Sequence, residues 1–277
     1  MANSSKQQQQ QQMRERQERL RREEEAKKKQ ESRIFLIAMI AVFAIAVVVA
    51  AIAILTSIDF NKEKPGPVQT TEAATLAYPN APKMADLDFS AVEDFSRFEI
   101  TEEETDYVLI NVTYKDNNGI TRTGDIVVRL FEEVAPITVK NFKGLVAEKF
   151  YDGLVFHRAV EGFMVQGGGY TATGAHKEPA KTIVGEFKNN GYNNNLQHLR
   201  GVISMARTGQ PNSASSQFFI MHRDNASLDG NYASFGFTVY GLDVVDAIAI
   251  QETNDDEQIL ETVLINMVRF VKLAPET

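Results

Sequence analysis

Residues 156–170 read Phe-His-Arg-Ala-Val-Glu-Gly-Phe-Met-Val-Gln-Gly-Gly-Gly-Tyr. One cation, Arg158, stands among Phe156, Phe163 and Met164, with Gln166 close behind and three glycines after it. Taken singly, such an arginine is most often a surface ion-pair partner, and each apolar neighbour more often belongs to a core than to a pocket wall. The glycine run has no following Lys-Ser/Thr, so it is not a phosphate loop. It reads as a turn or a point of close backbone approach. A second stretch, Ser204-Met205-Ala206-Arg207 through Ser216-Gln217-Phe218-Phe219-Ile220, repeats the theme of apolar residues punctuated by a glutamine.

Outward from these segments the pattern is β. Residues 108–114 are rich in branched and aromatic side chains. Asp116-Asn117-Asn118-Gly119 is a turn cluster, and Ile126, Val128 and Leu130 alternate along the next run. Pro136 sits where a helix would begin. Val139, Phe142, Leu145 and Val146 give that helix one apolar face, and Gly153 lies beyond its end. Val244, Val245 and Ile248 mark a second helix over 242–250, and a β-like run covers 262–273. Many short strands with two short helices predict a closed barrel rather than an alternating α/β fold.

What the chain lacks narrows the chemistry. It has no cysteine, which removes disulfides, thiolate nucleophiles and thiol-based metal sites. The histidines, His157, His176, His198 and His222, form no His-x-x-x-His pattern, so no metal is expected. No Gly-x-Ser-x-Gly elbow occurs and no serine is paired with a base in sequence, which leaves hydrolysis weakly supported. The net charge of −8 argues against nucleic-acid binding. What remains is a positive group in an apolar setting, and rotation about an X–Pro bond suits it. That rotation is opposed by amide resonance, with a barrier of about 18–20 kcal/mol, and it needs no nucleophile, metal or cofactor. A guanidinium donating to the prolyl nitrogen favours the twisted state selectively.

The segment from Tyr151 to Arg158, Tyr-Asp-Gly-Leu-Val-Phe-His-Arg, resembles the strand leading into the catalytic arginine of the cyclophilins, a family of peptidyl-prolyl cis/trans isomerases. Leu228-Asp229-Gly230-Asn231-Tyr232 followed by Phe235-Gly236 resembles a later segment of the same family, and the likeness runs from about residue 107 to 273. It implies a mainly β fold, an eight-stranded closed antiparallel β-barrel capped by two α-helices. It also implies proline-containing polypeptide clients, no cofactor, and Arg158 as the catalytic residue. Phe163, Met164, Gln166, Ala206, Arg207, Gln217, Phe219, Leu228 and Tyr232 fall on the family's substrate-binding positions. The chain departs from that pattern with Ser227 in place of a tryptophan, Tyr232 in place of a histidine and Arg207 in place of an asparagine. Gly209-Gln210-Pro211 holds one extra residue, and the Asn/Gly-rich stretch 170–199 is longer than in compact members. The tryptophan helps to hold the inhibitor cyclosporin, so cyclosporin binding is expected to be weak. A proline-peptide binding module or holdase with little turnover is the competing expectation, because Arg207 and Tyr232 alter the groove.

Upstream, Ile34 to Leu55 is a run of 22 residues without one polar side chain. As a helix it would span roughly 33 Å, enough for a hydrocarbon core of about 30 Å. A cleaved signal peptide is the rival, with a shorter apolar region of about 7–15 residues. Residues 1–33 carry ten Lys/Arg against six Glu, and a glutamine run over 7–12. A basic tail before an acidic body matches a cytoplasmic N-terminus. The domains expected are thus 1–33, a charged cytoplasmic tail; 34–57, a transmembrane signal anchor; 58–100, a linker; and 101–277, the isomerase domain, outside the cytoplasm. Leu87, Phe89, Val92, Phe95 and Phe98 are too many apolar groups for pure linker and leave a short helix or a packed extension open there.

Overall fold

In the computed structural model, which describes residues 78, 80, 82–90, 97–179 and 181–273, the strands are β1 (Phe98–Thr101), β2 (Tyr107–Lys115), β3 (Thr121–Leu130), β4 (Leu154–Val160), β5 (Met164–Thr171), β6 (Val202–Met205), β7 (Phe218–Met221), β8 (Ser234–Tyr240) and β9 (Gln258–Leu273). Helix α1 spans Pro136–Ala147 and α2 spans Leu242–Ala249.

Local chemistry builds the first hairpin, β2 with β3. The Asp116 carboxylate accepts from the backbone N–H of Asn118 and Ile120 (2.9 and 3.0 Å), and Gly119 takes φ +73°. A side chain there would be strained, which is why the turn ends in glycine. The strands then close in the order β9-β2-β3-β8-β6-β7-β5-β4, with β4 returning to β9. This is a closed antiparallel barrel of eight strands. Closure depends on the length of β9, which pairs with β2 through residues 264–271 and with β4 through 258–264. Strand β1 continues beside β4 along the same edge of β9, at 270–273. A closed barrel leaves few unpaired edges. Strand β9 begins before residue 262, where the β-like run in the sequence starts, because Leu260, Glu261 and Thr262 are exposed and leave no buried-face alternation to read.

Val108, Ile110, Val112, Ile126, Val128, Phe156, Ile203, Phe218, Phe235 and Val263 fill the barrel and are almost wholly buried. Each such side chain contributes about 1.5–3 kcal/mol by leaving water. Pro136 opens α1 at its first turn, and the buried face of the helix is the predicted one. The Phe142 ring meets Tyr151, Phe218 and Phe235 at 5.2, 5.7 and 5.2 Å. Helix α2 buries Val245 and Ile248 and lays Val244 over β3 at Gly124, where a Cβ would come within 2.7 Å of that valine.

Ala135, before α1, has no oxygen with which to cap the helix. Glu186, fully buried, supplies the cap from a distant loop, accepting from the N–H of Ile137 at 3.0 Å and of Thr138 at 2.6 Å. The Tyr78 hydroxyl donates to the same carboxylate at 2.8 Å, and burial with Glu186 nearby holds that phenol above its usual pKa. The Asn-rich stretch has a structural use here: the Asn194 amide donates to the carbonyls of Glu186 and Ser234 (2.9 and 2.8 Å).

Residues 82–90 contain a 3-10 turn over Met84–Asp86 and lie against the barrel. Phe89 sets its edge on Phe131 and Phe237 (5.6 and 5.0 Å), and Asp88 pairs with Arg129 at 3.1 Å. Among the described residues no helix is long and apolar enough to cross a membrane. The tail 1–33, the apolar run 34–55 and linker residues 58–77 lie outside the described residues.

Candidate active site

Strands β4 and β5 pair so that Arg158 stands opposite Gln166, and Phe163 occupies the short turn between them. Across the barrel, β6 runs into Ala206 and Arg207, β7 carries Phe219, a 3-10 turn over Ala226–Leu228 brings Leu228, and the loop before β8 brings Tyr232. Arg158, Phe163, Met164, Gln166, Ala206, Arg207, Phe219, Leu228 and Tyr232 surround one cavity of about 240 Å³. Of the ten residues singled out in the sequence, Gln217 alone stands outside this lining. Its Oε1 accepts from Gln166 Nε2 at 2.9 Å, and it faces an adjoining cavity of about 460 Å³ that Gln166 also lines.

The floor is apolar: Met164 is 2% exposed and Phe219 5%. Tyr232 stands edge-on to Phe219 at 5.6 Å. Behind Phe219 the His198 ring lies nearly parallel at 6.0 Å. His198 Nδ1 is 2.9 Å from Asp229 and its Nε2 3.2 Å from the Ser204 hydroxyl. Burial holds this imidazole below its ordinary pKa. No serine is paired with a base along the chain, yet Ser204, His198 and Asp229 stand in line. Ser204 is fully buried, so no substrate carbonyl reaches its oxygen, and the trio serves as the pocket's back wall.

Arg158 divides its donors. Its Nε donates to Glu257 Oε2 at 2.8 Å, and Nη2 donates to the same carboxylate oxygen. Nη1 is left on the pocket side, 3.4 Å from Gln166 Oε1 and 3.7 Å from Met164 Sδ, both long for hydrogen bonds. Glu257, the partner of Arg158, is the site neighbour that the sequence did not reveal. It takes φ +62° in a turn fixed by Asn254, whose side chain accepts from the N–H of Asp256 and Gln258 (3.0 and 2.9 Å). An acidic run over 255–257 reads as solvated surface, and nothing in the sequence ties it to Arg158. Replacing Glu257 by alanine is expected to lower kcat/KM by about tenfold, through loss of a charge-assisted pair that orients the guanidinium. Peptide isomerisation assays against the parent check this, and an unchanged kcat/KM contradicts it.

Neither Arg207 nor His157 offers the pocket a second open cation. Arg207 lies between Phe187 and Tyr232, 5.0 and 4.7 Å from their ring centres, and donates to the carbonyls of Asn231 and Thr208 at 2.9 Å. It acts as a wall more than as an open cation. His157, beside Arg158, has its pKa lowered to about 4 by burial and then by the arginine's charge, so it is neutral at pH 7. The glycine run is a point of close approach: a Cβ on Gly169 would stand 2.5 Å from the Gln217 side chain, and Gly168 (φ +83°) backs onto the rings of Tyr151 and Phe218.

The profile of the family described as "Cyclophilin type peptidyl-prolyl cis-trans isomerase/CLD" matches residues 116–270. The chain belongs to this family. Among its relatives, the peptidyl-prolyl cis-trans isomerase of Acinetobacter baylyi is 43% identical over 134 residues, 47% of this chain and 69% of the relative. Peptidyl-prolyl cis-trans isomerase B of Escherichia coli is 45% identical over 139 residues, covering 46% and 80%. A crystal structure of a cyclophilin-type isomerase from Cryptosporidium parvum aligns with a TM-score of 0.46 at 26% identity, over 60% of this chain and 99% of that one. The chain is therefore an enzyme of the cyclophilin isomerase class, and the cavity around Arg158 lies wholly within the matched residues.

Proposed function

We propose that the cyclophilin domain rotates X–Pro bonds in polypeptide clients, with Arg158 as the catalytic residue. The observation that carries this reading is the guanidinium's division of labour: Glu257 holds one edge while Nη1 faces a small cavity floored by Met164 and Phe219. A prolyl ring fits against Phe163, Met164, Phe219 and Leu228. As the bond twists, the nitrogen lone pair leaves conjugation and becomes an acceptor for Nη1. That hydrogen bond is stronger in the twisted state than in either planar isomer, which is the condition for catalysis. Water displaced by the bound prolyl ring raises its worth. Residues flanking the proline run past Ala206–Arg207 on one side and Gln166–Gln217 towards the larger cavity on the other. Cyclosporin binds weakly in this reading, because the exposed Ser227 occupies the tryptophan's place.

The reading includes a place of action. Residues 34–57 act as a transmembrane signal anchor, the tail 1–33 stays in the cytoplasm, and the domain assists folding of exported proteins. Proline isomerisation is slow enough to limit folding, so a catalyst tethered where chains emerge is useful. The absence of cysteine makes the topology testable, since Ser4→Cys and Thr182→Cys each introduce a single thiol. An impermeant maleimide added to intact cells is expected to label position 182 and spare position 4; the opposite pattern overturns the orientation. For the activity itself, magnetisation exchange between cis and trans forms of a short X–Pro peptide is expected to quicken when the full chain is added. Binding without exchange would favour the binding-module reading, which Arg207 and Tyr232 supply.

A further inference from the structure

The turn between β4 and β5 carries Phe163 into the pocket, and its neighbours Glu161 and Gly162 are exposed. Within the hairpin, the Phe163 N–H donates to Val160 O at 3.0 Å, and Gly162 takes φ +76°. The hairpin itself leaves two backbone groups to satisfy, the N–H of Gly162 and the C=O of Phe163. One residue takes both. His222 Nδ1 accepts from Gly162 N–H at 2.9 Å, and the His222 backbone N–H donates to Phe163 O at 2.9 Å, joined by Arg223 N–H at 3.3 Å. His222 follows β7 directly and is only 5% exposed.

The tautomer follows from the partners. Nδ1 accepts, so the proton of the neutral ring sits on Nε2, which is 3.3 Å from Asp246 Oδ1 on α2. Asp246 is itself held by Arg200, whose Nη2 lies 2.8 and 2.7 Å from its two oxygens. We propose that His222 is a positioning residue for isomerisation: in its neutral Nε2–H form it clamps the 161–163 turn and so fixes Phe163 against the substrate proline, and protonation of the ring releases that clamp. This rests on the isomerase reading above.

The chemistry has a definite sign. A proton on Nδ1 would face the Gly162 N–H donor to donor, so the bond exists only in the neutral ring. Burial keeps the imidazole below its ordinary pKa of 6.5; Asp246 and Glu161 oppose that shift, while Arg223 and Arg200 add to it. The clamp is therefore intact at pH 7 and is lost as pH falls below 6.5 through the lowered value.

The test uses the full chain. His222→Ala is expected to raise KM for an X–Pro peptide by about tenfold with kcat changed less than threefold, the cost of one buried hydrogen bond. His222→Asn keeps an acceptor near the Nδ1 position but cannot titrate. It is expected to restore KM to within about threefold of the parent and to remove the acid limb of kcat/KM below pH 6.5. An acid limb that persists unchanged in His222→Asn, or a parent profile with no such limb, overturns the proposal. Should either variant fail to fold, the parent decides: nitrogen-15 shifts of the His222 ring at pH 7 are expected to report bare Nδ1 and protonated Nε2, and the reverse tautomer overturns it. The ring shifts do not depend on turnover, so a failed clamp is distinguishable from a failed isomerase reading.

Discussion

Replacing Arg158 by alanine is expected to lower kcat/KM on an X–Pro peptide by about 100-fold or more, with the thermal midpoint within a few degrees of the parent. The size follows from what the guanidinium does. A 100-fold loss corresponds to about 2.7 kcal/mol of transition-state stabilisation, the usual cost of removing one preorganised donor from a dry site. Stability should change little, because the Arg158 side chain is about one-third exposed and its ion-pair partner Glu257 is nearly half exposed. Such pairs contribute little to folding. Lysine is not an adequate substitute. It has no planar fork with which to hold Glu257 through one edge and present a second donor to the pocket, so Arg158→Lys should recover at most about tenfold of the lost rate. Retention of more than one-tenth of the parent's kcat/KM in the folded alanine variant would remove Arg158 from the reacting centre.

Glu186→Ala is expected to destabilise the domain strongly, by about 3 kcal/mol. The carboxylate is fully buried and satisfies two N–H groups at the start of α1 as well as the Tyr78 hydroxyl. Its removal leaves the buried Thr138 N–H and two part-buried donors without their acceptor and takes a negative charge from a helix N-terminus, where it is favourable. For a domain of this size the shift in melting temperature is about 6–12 °C. Glu186→Gln keeps one acceptor oxygen and should cost roughly half as much. Tyr78→Phe should cost about 1 kcal/mol. Circular dichroism melts of the three variants check the order Ala, Gln, Phe, and a loss under 1 kcal/mol for Glu186→Ala contradicts the capping account.

The sequence was most legible where the physics is local. The turn at Asp116–Gly119 and the single apolar faces of α1 and α2 follow from short-range chemistry, and all three stand as predicted. The pocket lining was legible through the order of its motifs, since each residue alone reads as ordinary core. What escaped depends on distant partners. Glu257 lies 99 residues from Arg158 in an acidic turn that reads as solvated surface. Glu186 caps a helix that begins 50 residues before it, and no pattern marks a cap that follows its helix in sequence. The contact of Tyr78 with Glu186 crosses 108 residues. The Ser204–His198–Asp229 alignment is formed by three separate segments, and only their burial shows that it is a wall and not a nucleophile site.

Arg158 is expected to act on the twisted bond and not on the bound peptide. Peptide affinity and cis/trans exchange rate, measured in the same nuclear magnetic resonance samples for the full chain and for Arg158→Ala, separate the two. In the variant the dissociation constant should stay within about threefold of the parent, and the exchange rate should be lower by about 100-fold or more. Affinity and exchange falling together in proportion would contradict it, and would make Arg158 a binding residue only.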